Sequence, residues 1–582
     1  MISVNYQKRK NTKLFNKFEN VEGLELEKVQ NYIPIYKRFF SLNESNYNSI
    51  NLNHPWYIYD VKRQSPENDN VFDAKIKNIN LEEDEPLSQK VFFKMAPILD
   101  PFKLMTGKYD LTDNNLFNLP NLTDTNCHPK MLDSNNSSYV DAFFSYLSSM
   151  LNTIHSIEYY GSFIGIKNNF KINIIEDLDY LLENKFFLDN SNKLFEVEDF
   201  SDFIQDYEPP KLKPLLIHNE SRKSILSAKS IDNDMFEDIF EKSCEPSIID
   251  LNDLKDMSVD INVLESTSLN QSPTKSLSGS SCSSRTSHTN DLDLESNEQD
   301  EQEEQNEQDN EDNASSSEWE SMESNNEQTL YATIPKFPVQ VICMEKCEDT
   351  FDNLILTNEL THSEWFSALM QVIMTLIIYQ KSFSFTHNDL HTNNVMYVPT
   401  NMKHIYYLYN KQYYKVPTHG KIFKIIDFGR SIYKVKGKIF CSDSFQPGGD
   451  AATQYNTEPY YNEKKPRLEP NPSFDLCRLG CSIFDYLIGD LEEIKDLTKL
   501  DPITRVIVEW CTDDNGVNVL YKTTGVERYP DFKLYKMIAR CVHNHTPQNQ
   551  LERKEFKDFL VSKKSLPKDA KIINIDDMVS FV

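Results

Sequence analysis

Residues 208–330 decide how the rest of this chain can fold. The stretch opens on Pro209 and Pro210 and drifts through Ser- and Asp-rich sequence. From Ser266 to Thr289 it is mostly Ser and Thr, and it then becomes a Glu/Gln/Asn tract. Such sequence cannot bury enough apolar area to offset the entropy of ordering it, so disorder is expected for most of it. Any folded body must be assembled from the two flanks. Inside the stretch, the apolar cluster within Ile231–Phe240 is a candidate transient helix or docking motif. Ser272, followed by Pro273, is a candidate phosphorylation site.

The same stretch explains the charge. The 582 residues carry a formal net charge of −29, and 16 acidic residues with no Lys or Arg lie between Asp291 and Glu327. Setting these aside leaves −13, so the excess says little about the folded surface. The acidic balance argues against a general basic surface that coats nucleic acid, though a local basic groove stays open. Aromatic residues reach 12%, more than a wholly disordered chain carries. The ten cysteines include no Cys-x-x-Cys pair, and buried free thiols in a reducing compartment are expected. Met1–Lys10 is polar and lacks the apolar core of a secretory signal. The most apolar run, Ala368–Tyr379, is too short to span a bilayer and reads as a core helix, so no membrane insertion is expected.

Both flanks carry periodic patterns. Val71–Lys77, Lys90–Met95, Tyr159–Ile166, Phe170–Ile175 and Pro338–Met344 read as strands, and Val140–Leu151 has helical spacing. A long helix is expected from Thr361, where Thr361 and Glu364 form a capping-box pattern ahead of the stripe Phe366, Leu369, Met370, Ile373, Leu376 and Ile377. A sheet-rich front half and a helical back half make an α+β layout.

After the long helix comes Phe385-Thr386-His387-Asn388-Asp389-Leu390-His391-Thr392-Asn393-Asn394-Val395, and later Ile425-Ile426-Asp427-Phe428-Gly429-Arg430. Phosphoryl transfer requires such a set. It consists of a carboxylate to orient a hydroxyl and accept its proton, an amide oxygen for Mg²⁺, and a second carboxylate at the nucleotide phosphates. In order, these segments resemble the catalytic loop and metal-binding Asp-Phe-Gly of the protein-kinase superfamily. Asp475-Leu476-Cys477-Arg478-Leu479-Gly480 resembles the start of the helix whose aspartate anchors that loop.

The resemblance implies a bilobal fold with a small β-rich N-lobe and a larger, mostly helical C-lobe. It makes Asp389 the catalytic base, with His387 and His391 beside it, and assigns the metal to Asn394 and Asp427. Val91-Phe92-Phe93-Lys94 resembles the strand that presents a lysine to the α- and β-phosphates, with Lys90 as the competing candidate. Val341–Cys347 resembles the hinge strand, with Met344 as gatekeeper and backbone groups at Glu345 and Cys347 holding adenine. Gly429 would supply backbone freedom after Asp427. The implied domains are an N-terminal extension (1–65), the first part of the N-lobe (66–207), the insertion (208–330), the hinge strand (331–349) and the C-lobe (350–582). ATP and Mg²⁺, or Mn²⁺, are the implied cofactors.

The chain departs from the pattern at four places. No glycine lies between Gly23 and Gly107, so no Gly-rich loop can cover the phosphates, and Asn68–Asn70 would form a substitute turn. The helix expected to pair with Lys94 has Asp141 as its only carboxylate, which the helix dipole explains equally well. Asn388 stands where an arginine usually receives an activation-loop phosphate, so activity would not depend on one. His391 replaces the lysine of Ser/Thr kinases, and it is a candidate γ-phosphate contact.

Val91–Pro101, Tyr160–Phe163, the Tyr-rich insert Ile405–Val416 and Ile426–Ser431 are most similar to kinases of giant DNA viruses, which implies host cytoplasm or virion. The expected activity is transfer of the ATP γ-phosphoryl to Ser or Thr of a protein substrate. Two alternatives stand beside it. One is a pseudokinase scaffold that binds partners through the acidic insertion. The other is a small-molecule phosphotransferase, which rests on His391.

Overall fold

A computed structural model describes residues 4–80, 85–123, 126–199 and 329–582. Residues 208–328, with Ile231–Phe240 and Ser272, lie outside the described residues. The flanks form a mixed α/β unit. Its front sheet contains β1 (Leu26–Gln30), β2 (Trp56–Ser65), β3 (Asn68–Asn78), β4 (Leu87–Pro97), β5 (Tyr159–Asn173), β6 (Glu196–Val197) and β7 (Tyr331–Glu345). The order is β1-β5-β7-β4-β3-β2, with β6 paired to the start of β7, and every pairing is antiparallel. Because β7 comes from the second flank and lies between β5 and β4, the sheet is incomplete without both flanks.

Period-2 alternation sets the two faces of this sheet. On β3, Phe72, Ala74 and Ile76 are buried, while Asp73, Lys75 and Lys77 are half-buried. Helix α1 (Thr12–Asn20) buries Leu14 and Phe18, four residues apart. The Phe18 ring meets Phe93 at 5.8 Å and Phe163 at 5.5 Å, so α1 covers this outer face. The expected extension at 1–65 is therefore corrected. Strands β1 and β2 belong to the sheet, and α1 shields its outer side. The β2–β3 turn also falls at Pro66-Glu67, since Ser65 pairs with Asn68, and not at Asn68–Asn70.

Lys94 lies opposite Ile342, and its neighbour Phe92 lies opposite Met344, so both residues share the inner face. Helix α2 (Ser137–Met150) packs there, with Ser138 through Ser149 all buried. Its Phe144 ring has neighbours on several elements at once. Phe385 lies at 4.3 Å, Phe428 at 4.7 Å, Tyr433 at 4.8 Å and Tyr379 at 5.3 Å. The N-terminal segment adds a second clamp on α2. Phe39 stacks 5.5 Å from Phe440 and lies 4.7 Å from Phe143.

The back half opens on α3 (His362–Phe383), which begins with the expected capping box of Thr361 and Glu364. Among the described helices, α3 is the one long and apolar enough to cross a membrane, and it is mostly buried inside the protein. Strands β8 (Val395–Pro399), β9 (His404–Tyr409), β10 (Gln412–Pro417) and β11 (Lys421–Ile425) follow. The Tyr-rich insert is the β9–β10 hairpin. It buries Ile405, Tyr407, Tyr414 and Val416 on one face and is extended by the last two strands of the sequence. Those last strands are β14 (Leu560–Val561) and β15 (Ile572–Asn574), preceded by the pair β12 (Ile432–Val435) and β13 (Lys438–Cys441). The back half thus holds more sheet than its helical reading expected. The helices after α3 include α4 (Phe474–Leu487), Pro502–Trp510 and α5 (Lys533–Cys541).

His155 joins the insert hairpin to the strand that precedes Asp427. Its Nδ1–H donates to the Phe423 carbonyl at 2.9 Å, and its Nε2 accepts from Tyr407 Oη at 2.7 Å. Burial pushes this imidazole down to about 4. The native state therefore binds fewer protons than the unfolded chain below pH ~6.5. His155 should contribute about 3 kcal/mol of stability above that pH, lost progressively as the pH falls toward 4. Urea unfolding across this range should show the decline, and His155→Gln should flatten it.

Candidate active site

Helix α3 ends at Ser384, which adopts the left-handed conformation and turns the chain into the loop His387–Asn394. The backbone of this loop is held from below. Asp475, in the first turn of α4 and fully buried, accepts from His387 N–H at 2.9 Å and from Asn388 N–H at 2.9 Å. Charge-assisted bonds of this kind are about twice as strong as neutral ones. Asn388 has φ +65 and Asp427 has φ +61. These are left-handed positions that Asn and Asp tolerate better than most residues, and non-glycine residues in such regions cluster at functional sites. Gly429 is not left-handed, so the freedom expected there is instead taken up by Asp427 itself.

Three charges meet where sheet, helix and loop converge. Lys94 Nζ lies 2.7 Å from Asp141 Oδ2 and 2.8 Å from Asp427 Oδ1. Asp141 Oδ1 accepts from Phe428 N–H at 3.0 Å, so the aspartate of α2 uses both oxygens. Burial works against the Lys94 ammonium, but Asp141 and Asp427 outweigh it and raise its pKa. Burial raises Asp141 more than Lys94 lowers it, whereas Asp427, whose side chain is nearly half exposed, is held low by Lys94 against desolvation by its neighbours. The rival Lys90 pairs instead with exposed Glu67 at 2.5 Å.

Asn394 Nδ2 donates to the Asp389 carbonyl at 2.9 Å and to His391 Nε2 at 3.0 Å. These two bonds orient the amide and leave its oxygen uncommitted. With the Asp427 carboxylate it offers hard oxygen ligands, and two carboxylates against one ammonium leave local negative charge. Both features suit Mg²⁺, which usually takes one or two protein ligands plus phosphates and water. His391 is buried, and burial brings it down to about 4. It is therefore neutral at physiological pH and holds Asn394. Its Nδ1 has no hydrogen-bond partner among the described residues.

His387 Nε2–H donates to the Ile426 carbonyl at 2.9 Å, which joins the loop to the segment leading into Asp427. Asp389 Oδ1 accepts from Tyr535 Oη at 2.9 Å, and its Oδ2 lies 3.7 Å from Arg430 Nη1. Burial alone would raise this carboxyl, but Arg430, His391, Arg478 and Tyr535 bring it down to about 2.

Asn388, in the place of the usual arginine, receives Tyr455 Oη at 2.8 Å and donates to the Arg430 carbonyl at 3.0 Å. The segment after Asp427 is thus pinned by neutral hydrogen bonds. Buried Asp443 on the same segment accepts from Ser137 N–H at the start of α2, at 3.0 Å, and pairs with Lys130.

At the hinge, Met344 is buried beside Phe92. The Glu345 N–H donates to the Glu158 carbonyl at 3.0 Å, which removes it from the adenine contacts expected there. The Glu345 carboxylate accepts from Glu158 N–H at 2.7 Å and pairs with Lys424. Cys347 is buried, which pushes its thiol up to about 12.

Sequence reasoning missed Lys424, Arg478 and Tyr535. The first two carried a signal, each being a single cation inside an apolar run. Tyr535 carried none, since it lies 146 residues from Asp389.

No family model matches the chain. Two curated relatives are similar over a short stretch, and both are the serine/threonine-protein kinase haspin. The protein from Mus musculus is 37% identical over 79 residues, 13% of this chain and 10% of that one. The protein from Bos taurus is 33% identical over 90 residues, 14% and 12% of the respective chains. The chain therefore aligns with about a tenth of the length of these relatives, and the likeness points to a protein-kinase-like family.

Asp475→Ala would leave two buried N–H groups without their acceptor. Denaturant unfolding should show a loss of about 2–5 kcal/mol.

Proposed function

We propose that this chain is a protein kinase that transfers the γ-phosphoryl of ATP to Ser or Thr hydroxyls of a protein. The observation that carries the reading is the meeting of Lys94, Asp141 and Asp427 beside a loop that presents Asp389 and Asn394. The short similarity to two serine/threonine kinases supports the same class. In this reading the sheet-rich and helical parts are the two lobes of a kinase, with the nucleotide between them.

Lys94 would hold the α- and β-phosphates, positioned by Asp141. Asn394 and Asp427 would hold Mg²⁺, which supplies neutralisation of phosphate charge. Asp389 orients the acceptor hydroxyl. The new bond joins that oxygen to the γ-phosphorus as the bond from the γ-phosphorus to the β–γ bridging oxygen breaks. The hydroxyl proton passes to Asp389. A carboxylate held as low as about 2 is a weak base, which fits a loose transition state in which the proton leaves late.

All eight described cysteines are free, which fits a reducing compartment. A host cytoplasm or virion follows if the resemblance to giant-virus kinases holds.

One observation favours the scaffold reading instead. The β2–β3 turn is Pro66-Glu67, which brings a carboxylate and no glycine to the place of the phosphate-covering loop. Thermal unfolding with Mg-ATP separates the two. A kinase should be stabilised by several degrees in wild type and Lys90→Met, and not in Lys94→Met or Asp427→Asn. With ³²P-labelled ATP and a protein or peptide library, wild type should incorporate label, and Asp389→Asn should lose at least a hundredfold. Equal background incorporation by both would remove the phosphotransfer reading. A nucleotide-induced shift without incorporation would favour a nucleotide-binding scaffold.

A further inference from the structure

We propose that Tyr535 is a positioning residue that divides the two oxygens of Asp389, fixing Oδ1 so that Oδ2 alone meets the acceptor hydroxyl. This rests on the phosphotransfer reading above. Tyr535 lies on α5, far along the chain from the catalytic loop, and its hydroxyl is 2.9 Å from Asp389 Oδ1 in a buried setting. Oδ2 accepts no hydrogen bond from the described residues. Its nearest cation, Arg430 Nη1, stands at 3.7 Å, outside hydrogen-bond range.

The direction of the tyrosine bond is unambiguous. Arg478 Nε–H donates to Tyr535 Oη at 3.0 Å, so a cation fills an acceptor site of the phenol, and the phenol proton is turned to Asp389. A hydroxyl that accepts from a cation is also polarised into a stronger donor.

The ring is itself held on several sides. The guanidinium of Arg478 lies 5.3 Å from the ring centroid, and that of Arg430 lies 5.8 Å from it. Phe532 stacks on it at 5.1 Å, and Phe474 meets it at 6.0 Å. Phe474 and Arg478 belong to α4, the helix whose Asp475 holds the loop backbone. One helix therefore fixes the loop directly and the Asp389 side chain through Tyr535. An aspartate with neither oxygen tied turns about its second torsion over a broad range. Tying one oxygen removes that freedom before the acceptor arrives, which is the preorganisation that phosphoryl transfer depends on.

The test is steady-state kinetics of the full chain with Mg-ATP and its best peptide from the library, comparing wild type, Tyr535→Phe and Asp389→Asn. Tyr535→Phe should lower kcat about tenfold or more, the scale of a lost hydrogen bond to a charged group. KM for ATP and for peptide should stay within about twofold, since uniform binding is untouched. Thermal unfolding and the Mg-ATP shift of the variant report whether it is folded. A fall in kcat with intact nucleotide binding supports the role. An unchanged kcat overturns it, as does a raised kcat, which would make the contact a brake. A loss confined to KM, or a loss of the Mg-ATP shift, overturns it in favour of a structural part. If Asp389→Asn is inactive while Tyr535→Phe matches wild type, only this role fails. If wild type incorporates no label, the phosphotransfer reading fails, and this role fails with it.

Discussion

The site depends on one ammonium group between two carboxylates. Lys94 comes from the central part of the front sheet, Asp141 from the helix packed on its inner face, and Asp427 from the loop after β11. Asp141 would be costly to bury alone, and it is satisfied only when the other two elements are in place. The short aspartate of α2 serves because the helix lies close enough to spend its second oxygen on the Phe428 N–H. Sheet, helix and loop are thereby fixed relative to one another through a few ångströms of charge.

Around this triad the packing removes alternatives. Phe144 touches rings from α3, the segment that leads into the His387–Asn394 loop, the Asp427–Gly429 segment and β12. Phe39, Tyr433 and Asp443 hold the same helix from further sides, with Tyr433 Oη donating to the Val140 carbonyl at 3.0 Å. This helix meets the segment after Asp427 through neutral side chains, backbone groups and carboxylates.

The legible part of the fold was the periodic part. Strands around Val71, Val91 and Tyr159, the helix at Tyr139 and the capped helix at Thr361 all lie where alternation or helical spacing placed them. The strand character of β2 is masked because its aromatic residues cluster at Trp56, Tyr57 and Tyr59 and its second half is mostly charged or polar. Only pairing with β3 makes Ile58 and Val61 a buried face. The Tyr-rich insert was recognised as an interruption, but its partners, β14 and β15, come from the far end of the chain and leave no local mark.

By itself the sequence marked the candidates for chemistry. Asp389, Asn394, Asp427 and Asp475 stood out by residue type and order, because each sits in a short local motif. Tertiary structure alone decided which groups they meet. It chose Lys94 over Lys90 as the partner of Asp427, gave Asp141 its partner, set His391 against Asn394, and brought Tyr535 to Asp389. These are contacts between residues far apart in sequence. They depend on helix packing and strand register, which a local pattern does not encode.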